Sequence, residues 1–156
     1  MAILERNDKN SVAYILLNSP ETLNSLSDEM LAALTNEFES LRSDTKIRAV
    51  VLSGAGKAFC AGHNLKEMTR GRNAKDGGKS YFLDLFERCA KMMMLIQKLP
   101  QPVIAKVHGI ATAAGCQLVA TCDLAVAEQS TKFGVNGVNI GLFCSTPMVA
   151  LSRNIQ

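Results

Sequence analysis

Two periodicities of apolar residues trade places along this chain, one of the kind that strands use and one of the kind that helices use. Val12-Ala13-Tyr14-Ile15-Leu16-Leu17 is a short apolar run ended by Asn18-Ser19-Pro20, which predicts a strand and then a turn. Ser27 stands where it can cap a helix whose first turn carries Asp28 and Glu29, and Leu31, Leu34, Phe38 and Leu41 fall on one face. Val50-Val51-Leu52 has the unbroken apolar character of a buried parallel strand. Arg70 to Lys79 is polar and glycine-rich, which predicts a mobile loop inside a domain whose alternation continues beyond it. A long helix is expected from Ser80, with Phe82, Leu85, Phe86, Cys89, Met93 and Ile96 on its apolar side and Pro100 and Pro102 past its end. Met92, Met93 and Met94 read as core packing.

Val103 to Val107 predicts the next strand, Ala114 to Thr121 a helix and Leu124 to Ala127 another strand, after which Met148 to Leu151 opens a further helix. The order β, α, β, α, β, α, β predicts a single α/β domain over residues 1–156. Two loops of small residues stand out against this frame: Phe59-Cys60-Ala61-Gly62-His63-Asn64-Leu65, and His108-Gly109-Ile110-Ala111-Thr112-Ala113-Ala114-Gly115-Cys116-Gln117. Each follows a predicted buried strand and leads into a helical segment. Such a turn aims backbone N–H groups at an anionic oxygen, and two of them could converge on one atom.

Composition narrows the functional classes. Hydrophobic residues make up 47% and charged ones 20%, an ordinary balance for a globular chain with a sizeable core. The net charge of +3 is spread along the chain, and with no Trp and two Tyr there is little surface for stacking bases, which argues against a nucleic-acid partner. No apolar run is long enough for a membrane span, and the first residues lack both a signal-peptide core and an Arg-rich presequence. The five cysteines form no CxxC pair and no metal-ligand spacing, so they read as free thiols in a reducing compartment. As written, the chain reads as cytoplasmic, with the mitochondrial matrix as the alternative should a presequence precede it.

The two loops, together with Leu23-Asn24-Ser25-Leu26, Thr121-Cys122-Asp123-Leu124-Ala125-Val126-Ala127 and Phe133-Gly134 through Gly141, resemble the crotonase superfamily, the enoyl-CoA hydratase/isomerase group. The resemblance covers nearly the whole chain. It implies an α/β fold, a spiral of repeated ββα units, binding an acyl-CoA thioester, with coenzyme A part of the substrate and no separate cofactor. It further implies lyase-type chemistry of fatty acid metabolism. Carried over by position, the N–H groups of His63 and Ala114 would form an oxyanion hole, and the backbone from His63 through Asn64 and Leu65 to Lys66 would contact coenzyme A, with the adenine near Ala61 and Leu65. Lys57 and Lys66 are partners for phosphate or solvated surface lysines. Thr22 occupies a position where the family often has a cation.

Hydration of an enoyl thioester needs a base for water and an acid for the α-carbon, and the family's hydratases use two glutamates. Their positions hold Gln117 and Gly137 here, and neither residue transfers a proton at neutral pH. The resemblance therefore implies acyl-CoA binding with little or no hydratase turnover. Decarboxylation or thioester hydrolysis through the oxyanion hole is one alternative, and a noncatalytic CoA-binding regulatory role is another. Family decarboxylases can carry a histidine at the His63 position, although the imidazole could equally be a space-filling group. Cys144 and Ser145 would pass near the acyl group, with His108 the one other histidine that could activate them. Asp123, between a helix and a strand, is expected to make a structural hydrogen bond.

Family domains continue into C-terminal helices that cover the acyl pocket and build trimers or hexamers. This sequence lacks that region, so residues 1–156 are expected to form an incomplete crotonase-like domain with a sizeable apolar patch exposed.

Overall fold

The computed structural model describes residues 2–155. Its main sheet has five strands in the order β1 (Leu4–Lys9), β2 (Val12–Leu17), β3 (Ala49–Gly54), β4 (Val103–Val107) and β6 (Leu124–Ala127). β1 pairs antiparallel with β2, and every later pairing is parallel. A second, two-stranded parallel sheet joins β5 (Ile110–Thr112) to β7 (Lys132–Gly134). Among the described residues there are five α-helices, α1 (Asp28–Leu41), α2 (Leu65–Arg72), α3 (Lys79–Gln97), α4 (Ala114–Thr121) and α5 (Ser145–Asn154), with short 3-10 turns at Pro20–Thr22 and Asn136–Ile140.

The units β4-β5-α4 and β6-β7-α5 have one plan: a strand in the large sheet, a strand in the small one, then a helix. A third unit runs from β3 through an isolated bridge between Cys60 and Ala111 into α2. This is the expected spiral of ββα units. The linear order anticipated from periodicity is corrected in three places. β1 is nearly all polar, and it forms because Asn10 and Ser11, both at positive φ, fold it back onto β2. β5 and β7 are three-residue strands hidden inside small-residue segments. Arg70 to Arg72 finish α2, and residues 73–78 form hydrogen-bonded turns, with Asp76 accepting from the Gly78 and Ser80 backbone N–H groups, in place of the loose loop expected there.

The core lies between one face of the sheet and helices α1 and α3. Alternation in β2 buries Ala13, Ile15 and Leu17 while Tyr14 is exposed. Ser27 caps α1 by accepting from Met30 N, and Leu31, Leu34, Phe38 and Leu41 are each at most 1% exposed. On α3 the expected Leu85, Cys89, Met93 and Ile96 are buried, joined by Met92 and Leu95, whereas Phe86 is 43% exposed and Met94 faces solvent. Asp123 accepts from Val103 N at 2.7 Å, the structural bond expected of it. All five cysteines are free.

Beyond Leu124 the character of the surface changes. β6 is a sheet edge whose four residues are all exposed, and Leu124, Val126, Phe133, Val138, Ile140 and Phe143 are between 49% and 70% exposed. These exposed apolar side chains lie on the segment where the apolar patch is expected.

Candidate active site

The first loop is held by an asparagine. Asn24 is fully buried in the left-handed region, its Nδ2 donates to the carbonyls of Ala55 and Ala58 at 2.8 Å, and its Oδ1 accepts from Ser19 N. Ala61 N donates to Leu23 O, and Leu26 N donates to Gly62 O. One buried carboxamide thus fixes the backbone that carries His63. The resemblance pointed at this motif, but its physical reason, three hydrogen bonds of which two span a long sequence separation, is not written in the local pattern. Asn64 ends the loop as the N-cap of α2, its Oδ1 accepting from Lys66 N at 3.0 Å and Glu67 N at 3.3 Å. The Lys66 N–H is therefore engaged within the chain. Ala61 is half-buried, and Leu65, Lys66 and Lys57 are exposed.

The second loop is zipped onto the first. Phe59 N and Cys60 N both donate to Ile110 O, and Thr112 N returns a bond to Cys60 O at 3.1 Å. Two glycines permit this approach: a Cβ on Gly109 would stand 2.0 Å from Lys57 O, and one on Gly115 would stand 2.1 Å from Cys60 O. Gly62, at φ +87, comes so near α4 that a Cβ there would lie 3.1 Å from Ala114 N. Ala113 turns the chain into α4 at φ 50 and ψ −122, a conformation that costs a non-glycine residue about 1–3 kcal/mol. That strained turn makes Ala114 the first residue of a helix and frees its N–H from intrahelical bonding. Among the described residues neither His63 N nor Ala114 N donates to a protein acceptor. Loops distant in sequence thus bring two free backbone donors to the same junction, with a helix N-terminus behind one of them.

The His63 ring meets Phe86 edge to face at a centroid distance of 5.8 Å, and its Nδ1 is sealed from solvent without a hydrogen-bond partner. Burial pushes its pKa below the ordinary value. The folded chain therefore holds the ring neutral at pH values where the unfolded chain protonates it, near ~6.5. Stability from this group is full above that value and falls as the pH drops toward the folded pKa. Thermal melts from about pH 7.5 to about pH 5 should show Tm falling with acidification, and the slope should shrink in His63→Leu. An unchanged slope in the variant would remove His63 as its source.

Gln117 lies one turn beyond Ala114, 8% exposed, and its Oε1 accepts from Thr146 Oγ1 of α5 at 3.1 Å. Gly137, in the 3-10 turn Asn136–Ile140, is buried, and a Cβ there would lie 2.6 Å from Cys144 Sγ and 2.7 Å from Leu142 O. The backbone at 137 leaves no room for a glutamate side chain. His108 Nε2 bonds Gly56 O at 2.8 Å under the first loop, while Cys144 packs against Gly137, so the structure does not assemble a Cys144–His108 pair. A groove of about 460 Å³ runs beside Gln117 between α3, α4 and α5, walled by Met93, Met94 and Val149 and reaching Arg153. Among the described residues, no Asp or Glu lines it.

Comparison with known proteins agrees with the fold. The profile of the enoyl-CoA hydratase/isomerase family matches residues 7–155. The mitochondrial enoyl-CoA hydratase domain-containing protein 3 of Xenopus laevis is 47% identical over 94% of this chain, and the Homo sapiens protein of that name is 43% identical over 92%. A crystal structure of an enoyl-CoA hydratase from Mycobacterium smegmatis superposes with a TM-score of 0.91 at 56% identity, over 98% of this chain and 58% of that one. The crystal structure of the human domain-containing protein 3 gives 0.89 at 41% identity, over 97% and 58%. The chain spans about half the length of the curated relatives it matches, 48% of the frog protein and 46% of the human one.

Proposed function

Because the chain belongs to the enoyl-CoA hydratase/isomerase family, we propose that it binds an acyl-CoA thioester whose carbonyl oxygen is held by the backbone N–H groups of His63 and Ala114. The observation that carries this reading is the junction of the two loops, where Gly62 lies against Ala114 N and both donors lack protein partners. Charge developing on a thioester oxygen would be met there by preorganised dipoles. Losing one such donor costs roughly 3 kcal/mol of transition-state stabilisation. Coenzyme A would run along the start of α2, past Ala61, His63, Asn64 and Leu65, with the exposed Lys57 and Lys66 available to its phosphates. Asn64 already takes the Lys66 N–H, so Lys66 would contribute its ammonium and not its backbone.

Proton transfer is where the site differs from a hydratase. Gln117 and Gly137 supply no acid or base, and each general acid or base contributes about 100-fold to 10,000-fold to such a reaction. The 156-residue chain is therefore expected to bind a short acyl-CoA in a calorimetric titration while hydrating crotonyl-CoA at least 100-fold more slowly than an ordinary family hydratase assayed beside it. Turnover within about tenfold of that hydratase would overturn the reading of the missing pair.

A second reading, decarboxylation of a carboxyacyl-CoA, is favoured by His63. Its unpartnered Nδ1 is held neutral beside the junction, and stabilising the enolate left by loss of carbon dioxide needs backbone donors more than a base. Binding without turnover of either substrate would leave a noncatalytic CoA-binding role. The mitochondrial assignment in the names of the vertebrate relatives supports the matrix as the compartment.

A further inference from the structure

The stretch 66–79 holds more positive charge than its own contacts use. Lys66, Arg70, Arg72, Lys75 and Lys79 stand there against Glu67 and Asp76, so the whole net charge of +3 arises in this stretch although no unbroken run of like charge shows in the sequence. Both carboxylates are already engaged. Glu67 Oε2 accepts from Asp28 N, and Asp76 accepts from Gly78 N, Ser80 N and the Ser80 hydroxyl. Among the described residues the ion pairs use Arg6, Arg42 and Arg88, and none of these five cations.

Packing gathers four of them at one tip. Arg70 and Arg72 close α2, Lys75 lies in the turn and Lys79 opens α3, and all four are exposed. A Cβ on Gly78 would stand 2.9 Å from Arg72 Cα, so the end of α2 and the start of α3 meet closely. Arg70 and Arg72 have a local reason to be there, because the last turn of a helix favours cations. Lys79 has none: it sits in the first turn of α3, at the positive end of the helix dipole, where no acid accompanies it. Four like charges on one tip repel one another, and an anion outside the chain would offset that.

The surroundings select the kind of anion. The hollow beside Arg70, Gly71 and Tyr81 also has Asp28 and Glu67 in its wall, and two carboxylates repel a small anion seated there. Residues 73–77 are exposed throughout, so the cations stand on a projecting turn and not in a cleft. Leu83 shares a face of α3 with Lys79, one turn on, and is 63% exposed, with Phe86 a turn further at 43%. Cations on flexible stems beside uncovered apolar side chains suit an anionic lipid surface, where headgroups meet the charge and apolar groups enter the interface. No described helix is long and apolar enough to cross a membrane, so such contact is peripheral.

We propose that the tip of the α2–α3 hairpin, through Arg70, Arg72, Lys75 and Lys79 with Leu83 beside them, docks this chain on a membrane surface rich in anionic phospholipid. The proposal stands apart from the acyl-CoA reading and uses none of the residues assigned there to the thioester.

Co-sedimentation of the 156-residue chain with sucrose-loaded vesicles tests it, using phosphatidylcholine alone and phosphatidylcholine with about one-third phosphatidylglycerol. Each basic residue near an anionic surface contributes about fivefold to partitioning. At low salt the native chain should therefore bind the anionic vesicles at least about 50-fold more tightly than the neutral ones, and lose most of that preference in about 0.5 M salt. Arg72→Glu combined with Lys75→Glu should weaken binding to the anionic vesicles at least about 20-fold. Lys46→Glu combined with Arg48→Glu changes the net charge equally but far from the tip, since Arg48 shares a hollow with Pro100 and Gln101 beyond the other end of α3, a helix roughly 28 Å long. That pair should leave binding within about threefold of native. Equal binding to the two kinds of vesicle, or equal weakening by the two pairs of substitutions, would overturn the proposal. Release of the chain from anionic vesicles by saturating coenzyme A would assign the cations to the thioester and overturn it as well. A chain that docks on vesicles but binds no acyl-CoA would overturn the earlier reading alone.

Discussion

Gly115→Ala is expected to reduce acyl-CoA binding at least 100-fold and to destabilise the chain by about 1–3 kcal/mol or more. The new Cβ would stand 2.1 Å from Cys60 O and 2.7 Å from Cys60 C, and the obstacle is backbone, not the movable end of a side chain. Relief requires α4 to retreat from the first loop by more than an ångström, since ordinary contacts of this kind begin near 3.4 Å. That retreat draws Ala114 N away from Gly62 and parts the two free donors. Misplacement on the order of 1 Å costs about 100-fold where geometry carries the interaction. Titration with butyryl-CoA and a chemical denaturation curve check the two halves of the expectation. Binding within about threefold of the native chain would show that the approach of Gly115 to Cys60 does not set the site.

Phe59→Ala should act through the core. Phe59 is fully buried at the foot of the first loop, and its N–H donates to Ile110 O at 3.0 Å, so its ring supports the stretch where the loops are zipped. Deleting a buried phenylalanine ring costs about 3–5 kcal/mol through lost burial and the cavity left behind. For a domain of this size that corresponds to a fall in Tm of roughly 10 °C. A circular-dichroism melt measures it, and a shift of less than about 2 °C would mean that the loop closes over the gap.

How much of this was legible in sequence depended on whether local chemistry or distant pairing decided the outcome. α1 announced itself through Ser27, the acids of its first turn and the spacing of Leu31, Leu34, Phe38 and Leu41, all of which act within a few residues. α4 was bounded correctly at Ala114 and Thr121 because small residues precede it and a strand pattern follows. β1 escaped because Glu5, Arg6, Asn7, Asp8 and Lys9 carry no apolar alternation, and its pairing is imposed by a turn and by β2. β5 and β7 escaped for a related reason: three residues are too few to establish a period, and their bonding is wholly tertiary.

The candidate site divides in the same way. The glycines and alanines that allow close backbone approach were visible as small-residue loops, and Gln117 and Gly137 drew notice only because the resemblance supplied positions to inspect. The clamp made by Asn24, the strained turn at Ala113 and the hold of Thr146 on Gln117 depend on side-chain hydrogen bonds or dihedral choices that a one-dimensional pattern does not encode. The crowding at Gly137 belongs with them, because only packed coordinates show Cys144 and Leu142 closing over it.

The bonds that tie Cys60 to Ile110 and Thr112 close a long stretch of chain, so the pair of donors at His63 and Ala114 exists only when α2, α3 and β4 are already assembled between them. A partly unfolded chain has no weakened version of this site; it has none. Occupancy and folding are then two readings of one equilibrium, and a ligand present at 100 times its dissociation constant would raise the stability of the entire chain by about 2.7 kcal/mol, not that of a loop.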